Sequence, residues 1–192
     1  MFCLIGFTIQ SQAQVNFRLG IKGGLNFSDL ETDLNTDSKT GYHGGAFMTF
    51  KFTKLAIQPE VIFSQQGAKF HFNGDEIESN YSYVNIPVLL KLYLIGGLNL
   101  QVGPQFGFLA TAERDEFNQL TQSKSKEDVK DQLKNSEMSV GLGLGWDLPS
   151  GFLISARYNL GLTEINDAEP TWNAKNQVFQ VSLGYRLIDI GN

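Results

Sequence analysis

The sequence predicts an all-β protein, an eight-stranded, up-and-down antiparallel β-barrel that crosses a bilayer. Three observations carry this. Bulky apolar residues recur at every second position over segments of about ten residues. The polar connections between those segments alternate between short and long. The face opposite the bulky one is built from glycine, small polar and charged side chains, which fill a narrow bore better than they coat a soluble surface.

The first segment, "FRLGIKGGLNF" (17–27), sets Phe17, Leu19, Ile21, Leu25 and Phe27 against Arg18, Gly20, Lys22, Gly24 and Asn26. The second (42–52) sets Tyr42, Ala46, Met48, Phe50 and Phe52 against His43, Thr49 and Lys51. In the third (55–67), Leu55, Ile57, Val61 and Phe63 oppose Gln58, Glu60 and Ser64. The fourth (81–94) sets Val84, Ile86, Val88, Leu90, Leu92 and Leu94 against Tyr83, Asn85, Lys91 and Tyr93. The fifth (100–111) opposes Leu100, Val102, Phe106 and Phe108 to Gln101, Gly103, Gln105 and Gly107.

The last three alternate most regularly. Residues 137–147 carry Met138, Val140, Leu142, Leu144 and Trp146 against Ser139, Gly141, Gly143, Gly145 and Asp147. Residues 152–163 set Phe152, Ile154, Ala156, Tyr158, Leu160 and Leu162 against Ser155, Arg157, Asn159 and Thr163. Residues 178–187 set Phe179, Val181, Leu183, Tyr185 and Leu187 against Gln180, Ser182, Gly184 and Arg186. Short turns are expected near Thr53-Lys54, Ile95–Gly97 and Pro149-Ser150, and longer polar loops at 28–41, 68–80, 113–136 and 164–177. The Gly-free, Pro-free loop 113–136 is also read as able to hold a short helix. Up-and-down strands put all short turns at one end and all long loops at the other, the arrangement of bacterial outer-membrane barrels.

Orientation follows from comparing two packings. A soluble eight-stranded barrel has room only for a filled core or one small ligand, too little for this set of bulky side chains. Its outer surface would also expose Gly20, Gly24, Gly141, Gly143, Gly145 and Gly184 in strands, where glycine weakens the ladder. With the bulky face toward acyl chains both problems vanish. Each Leu, Val or Phe buried there contributes about 1.5–3 kcal/mol, and closure satisfies the backbone inside the bilayer. Phe17, Phe27, Tyr42, Phe52, Phe63, Trp146, Phe152 and Tyr185 fall near segment ends, as interfacial girdles require.

The polar set then lines the lumen. Arg18, Lys22, Lys51, Lys91, Arg157 and Arg186 meet Glu60, Glu137 and Asp147 there, and charges in so tight a space must pair. Glu60, near mid-height, is expected to bridge Lys22 and Arg157, with Asp147 serving basic groups at the short-turn end. Two readings of this network stay open: a plug that closes the bore and a selective anion path.

Composition bounds the rest. The chain has 192 residues, 20 Gly, 15 Phe and a net charge of −5, and the absence of a basic face argues against nucleic acid. The only cysteine is Cys3, so neither a disulfide framework nor a zinc cluster is expected, and no cofactor is expected either. Cys3 sits in "MFCLIGFTIQSQAQ", which reads as the end of a secretory signal cut after Ala13. This assigns residues 1–13 to the signal and 14–192 to the barrel domain. The basic leader of such a signal is missing here, so the true start is expected upstream. No apolar run reaches the 18 residues of a transmembrane helix.

Chemistry is sparse. His43 and His71, the only histidines, fall on an inward position and a loop tip, and His43 beside a serine is the one candidate for base and nucleophile. Asp29, Glu31, Asp33 and Asp37 have the spacing to share a calcium ion but lack the glycine and distal Glu of an EF-hand. A solvated acidic loop fits them better. "GIKGGLN" is not a phosphate loop, because it lies within a strand. No metal site is assigned. Pro59, Pro87 and Pro104 fall inside strands, where local bulges are expected to accommodate them.

Six motifs, "LGIKGGLNFS", "IQPEVIFSQQG", "YVNIPVLLKLY", "VGPQFGFLA", "SARYNLGLTEI" and "VFQVSLGYRL", resemble in order the strands of the outer-membrane β-barrel family common in Bacteroidetes, the PorT-like group. The resemblance runs from about Phe17 to Leu187. It implies an eight-stranded barrel of OmpA/OmpX-like architecture in the outer membrane, with outer-membrane lipids and envelope or secretion proteins as partners. The chain runs on as "LIDIGN" past Tyr185, whereas such barrels often end on an aromatic residue. The expected function is non-enzymatic, structural, interaction or secretion-associated. The rival readings are a soluble lipocalin-like carrier, a narrow pore and an envelope lipid-modifying enzyme.

Overall fold

The computed structural model describes residues 15–31, 36–72, 75–118, 123–128, 134–163 and 175–191. The signal expected over residues 1–13, and Asp33, lie outside the described residues. Among the described residues there are nine strands: β1 (Asn16–Glu31), β2 (Thr36–Phe52), β3 (Leu55–Phe72), β4 (Asp75–Tyr93), β5 (Leu98–Asn118), β6 (Ser123–Asp128), β7 (Ser136–Asp147), β8 (Phe152–Gly161) and β9 (Lys175–Ile190). Eight of them pair antiparallel in the closed order β1–β2–β3–β4–β5–β7–β8–β9, and β9 returns to β1. β6 pairs only with the far end of β5, Glu113 opposite Asp128 through Asn118 opposite Ser123.

Short turns join β2 to β3 at Thr53-Lys54, β4 to β5 through a 3-10 turn at Ile95–Gly97, and β7 to β8 over 148–151. Gly97 has φ +86, and a Cβ there would lie 2.2 Å from the Asp147 carbonyl oxygen, so this tight turn admits only glycine. At the other end the strands reach into segments expected to be loops. β3, β4 and β5 have 18, 19 and 21 residues, about twice what crosses the hydrocarbon layer. Their far ends form a paired ladder beyond the apolar band. In sequence the far ends of β4 (75–80, "DEIESN") and β5 (113–118, "ERDEFN") carry charged residues at both parities and lack the hydrophobic period that marks a strand, whereas β3 keeps it over 68–72 ("AKFHF"). Residues 113–118 belong to β5 and residues 123–128 form β6, so these parts of loop 113–136 are strand and not the short helix the loop could have held. His71 belongs to β3, paired with Glu76, rather than to a loop tip.

Burial follows the pleat. Leu142 is 50% and Leu183 56% exposed on the outside of the barrel, while Asn26, Gln58, Glu60, Lys91 and Arg157 are buried inside it. A bilayer, not water, is the solvent this outer face suits. Aromatic residues meet near strand ends: Phe17 with Phe50, Phe27 with Phe179, and Phe152 with Tyr185 at 5.1 Å between ring centroids. Trp146 Nε1 donates to the Gly96 carbonyl at 2.9 Å. The lumen is not wholly polar. Phe47, Ile62 and Leu89 point inward, and Tyr81, Tyr83, Leu109 and Ala112 form a small buried cluster near the long-hairpin end.

The prolines cause no bulges. Pro59 lies opposite Val88, Pro87 opposite Gln105 and Pro104 opposite Val140, and the register is unchanged on either side. A proline removes one donor without inserting a residue, so the ladder loses a rung and keeps its phase. The register shifts fall instead at Leu19/Gly20, Ser38/His43 and Ser82/Tyr83.

Glycine sets how tightly the lumen closes. A Cβ on Gly20 would lie 2.3 Å from Phe47 Cζ, so Gly20→Leu is expected to displace Phe47 or the strand at a cost of about 1–3 kcal/mol. Urea unfolding of the refolded protein checks this; an unchanged midpoint would show that the lumen has slack.

Candidate functional site in the barrel lumen

The alternation that exposes the bulky residues sends the polar residues of all eight barrel strands into one narrow space, where three tiers form. The middle tier centres on Glu60 of β3. Its Oε1 lies 3.0 Å from Arg157 Nη2 and its Oε2 3.2 Å from Arg157 Nη1, a two-pronged contact. Lys22 Nζ reaches both oxygens at 3.3 Å. Gln58 Nε2 donates to Oε1 at 2.8 Å.

The tier at the short-turn end centres on Asp147 of β7. Lys91 Nζ lies 3.0 Å from Oδ1, the Tyr93 hydroxyl donates to Oδ2 at 2.6 Å, and Arg18 Nη1 stands 3.9 Å away. Amides join the two tiers into a closed ring. Lys91 donates to Gln58, which donates to Glu60. Arg157 donates to Gln101, Gln101 to Asn99, and Asn99 to Asp147. Each of these carboxylates therefore faces two cations in a site closed to bulk water, where pairing offsets much of the desolvation cost. A cavity beside the ring, lined by Lys22, Phe47, Gln58, Lys91 and Gln101, holds about 10 Å³, room for about one water.

Lys51 and Arg186 sit at the short-turn end. Lys51 Nζ lies 4.3 Å from the centre of the Tyr93 ring. Arg186 Nη1 contacts Asp189 Oδ2 at 2.9 Å, and Arg18 Nε contacts Asp189 Oδ1 at 3.5 Å. Asp189 escapes a reading by alternation for a physical reason. The shift at Leu19/Gly20 places Ile188 opposite Leu19 and Asp189 opposite Arg18, reversing the phase of β9 beyond Arg186 and bringing a carboxylate to the cationic face. Gln58 and Gln101 are legible as inward positions, but nothing in the sequence marks them as the links of a ring.

The upper tier carries an arrangement that resembles a catalytic triad. His43 Nε2 lies 2.8 Å from Ser182 Oγ, and His43 Nδ1 lies 2.7 Å from Asn26 Oδ1. Asn26 is also bound by Gln180 and donates to Ser64 and to the Gln65 carbonyl. All of these side chains but the Gln65 group are buried in the bore. A nucleophile needs a substrate carbonyl within reach, and this serine faces other lumen side chains. Of the acidic residues considered for calcium, Asp29 and Glu31 belong to β1 and Asp37 to β2, so the described ones are strand residues rather than a single loop.

Residues 10–167 match the family described as the outer membrane protein beta-barrel domain. Among solved structures the chain is similar to Ail, the attachment invasion locus protein of Yersinia pestis. The identity is 16%, covering 91% of this chain and 99% of that one, with a TM-score of 0.55. The structure of Ail in complex with the heparin analogue sucrose octasulfate gives 14% identity, the same coverage and a TM-score of 0.52. Neisserial surface protein A gives 9% identity over 88% of this chain and 95% of that one, with a TM-score of 0.50. At such identities the likeness is one of fold. No curated protein matches the sequence.

Proposed function

The chain belongs to the outer membrane protein beta-barrel domain family, and from that premise we propose that it is a closed, non-enzymatic scaffold whose long hairpins engage partners outside the cell. It is an integral protein of the bacterial outer membrane, and its short turns mark the periplasmic end. The observation that carries the proposal is the ring of Glu60, Arg157, Gln101, Asn99, Asp147, Lys91 and Gln58 across the bore. A bore so crossed is a plug rather than a path, and the strands that continue beyond the bilayer are the surface left for function.

The hairpin segments carry Asp29, Glu31, Asp37, Asp75, Glu76, Glu78, Glu113, Asp115 and Glu116, and the whole chain has a net charge of −5. This disfavours a polyanion such as the sulfated analogue bound to Ail and favours a cationic or neutral protein surface. An envelope or secretion protein, as the PorT-like motifs imply, is the finer form of this reading. Crosslinking from intact outer membranes tests it. The expected result is a specific adduct through the hairpins that disappears when residues 113–135 are shortened; adducts confined to periplasmic turns would contradict it.

Conductance tests the plug. In planar bilayers the wild type is expected to show no stable open level, while Glu60→Gln, which weakens the hold on Arg157 and Lys22, gives brief openings. A large stable wild-type conductance would sink the plugged reading and restore the anion path.

A further inference from the structure

Glu60 and Asp147 each face two cations, but Glu137, the third inward carboxylate expected from the sequence, pairs with no cation among the described residues. It is buried at the long-hairpin end of β7, and its partners are neutral: Asn176 Nδ2 donates to Oε2 at 2.7 Å and the Tyr83 hydroxyl bonds to it. A buried carboxylate with only neutral partners is costly unless something positive joins it.

The surroundings are unusual in a second way. Asn85 Nδ2 and Oδ1, Ser139 Oγ and Asn176 Oδ1 are buried with no hydrogen-bond partner, although such groups in folded proteins are nearly always satisfied. These atoms belong to neighbouring inward positions. Asn85 of β4 pairs with Gly107 of β5, which pairs with Glu137 of β7. Ser139 pairs with Gly161 of β8, and a Cβ on Gly161 would lie 2.7 Å from the backbone carbonyl oxygen of Asn176. A Cβ on Gly107 would lie 2.7 Å from Glu137 Cγ and 2.9 Å from Asn85 Oδ1. At Gly107 the missing side chain lets Glu137 and Asn85 Oδ1 converge on the space a Cβ would take, and at Gly161 the Asn176 backbone closes in.

We propose that Glu137, Asn85, Ser139 and Asn176 form a binding site for a hard cation of calcium size, entered from the extracellular mouth. The donor set is entirely oxygen: one carboxylate, two amide oxygens and a hydroxyl, the chemistry calcium takes. It contains no imidazole or thiolate, which excludes the softer transition metals. A single carboxylate gives weak binding, on the order of 10⁻⁴–10⁻³ M as in extracellular modules, the range in which such a site is occupied outside a cell. This site is independent of the plug and of any protein partner.

Terbium, a luminescent stand-in for calcium, tests it in the refolded full-length barrel, with Tyr83 as the built-in sensitiser. Excitation of tyrosine is expected to give terbium emission that calcium displaces. Glu137→Gln should abolish that emission, and Tyr83→Phe should lower it while calcium still raises the unfolding temperature. Ser139→Ala, a minimal change that keeps the carboxylate, should weaken terbium at least about tenfold and covers the case in which Glu137→Gln does not fold. Heat-dependent gel migration verifies the folded state of each variant. Emission unchanged in Glu137→Gln and Ser139→Ala would put the ion on exposed hairpin carboxylates and overturn the proposal. Absence of sensitised emission from the folded wild type would overturn it as well.

Discussion

Glu60→Ala is expected to destabilise the barrel by about 3–5 kcal/mol, because it leaves two buried cations facing each other without their shared anion. Glu60 is 2% exposed, and Arg157 and Lys91 are 3% and 1% exposed, so little bulk water is at hand to take over the lost interaction. The loss propagates, since Gln58 donates to Glu60 and accepts from both Lys91 and Thr49. Urea unfolding in detergent micelles, followed by tryptophan fluorescence, measures it. The triple change Glu60→Leu, Arg157→Met and Lys22→Met is expected to cost less than Glu60→Ala alone, since replacing a whole ionic cluster by apolar groups is often neutral where breaking it is not. A loss below about 1 kcal/mol for Glu60→Ala, the range of an exposed pair, would mean that the lumen is wet and the ring adds little.

Leu142→Arg is the second large expected effect. Leu142 lies in the middle of β7, between Met138 and Trp146 on the same face and opposite Tyr158 of β8. A charge on the lipid face near the bilayer midplane costs about 2–4 kcal/mol. Folding into vesicles and titrating with urea should show that loss, whereas Leu187→Arg, at the periplasmic end of β9, should show a small one. Equal effects at the two positions would remove the depth dependence that a bilayer imposes.

Most of the fold was legible because a transmembrane barrel writes its structure in a period of two. The inward and outward sets of β7 in "EMSVGLGLGWD" follow that period without an exception, and the short turns fell where Thr53-Lys54 and Ile95–Gly97 interrupt it. The far ends of β4 and β5 were not legible, because "DEIESN" and "ERDEFN" carry charged residues at both parities, and the alternating "AKFHF" at the end of β3 is too short a run to stand out from the polar residues around it. Bulges were not legible either. The shift at Leu19/Gly20 that turns Asp189 toward Arg18 leaves the composition unchanged and shows only in the pairing.

For the lumen, the sequence supplied the charges and their side but not their partners. Glu60 between Lys22 and Arg157 was accessible from height alone, since the three lie near mid-strand. The amide links through Gln58, Gln101 and Asn99, the chain from Ser182 through His43 to Asn26 and the neutral surroundings of Glu137 depend on which strands face across the bore. That is a property of closure, and no single strand carries it.

The central claim is that the bulky face meets lipid while the polar face fills the bore. Nitroxide labels at Leu142→Cys, Leu183→Cys and Ser182→Cys, in a Cys3→Ser background reconstituted into vesicles, test it most directly. Labels at 142 and 183 should be relaxed by dissolved oxygen and ignored by a water-soluble nickel complex, and the label at 182 should be shielded from both. Shielding at 142 and 183, with oxygen access at 182, would contradict the orientation and every consequence drawn from it.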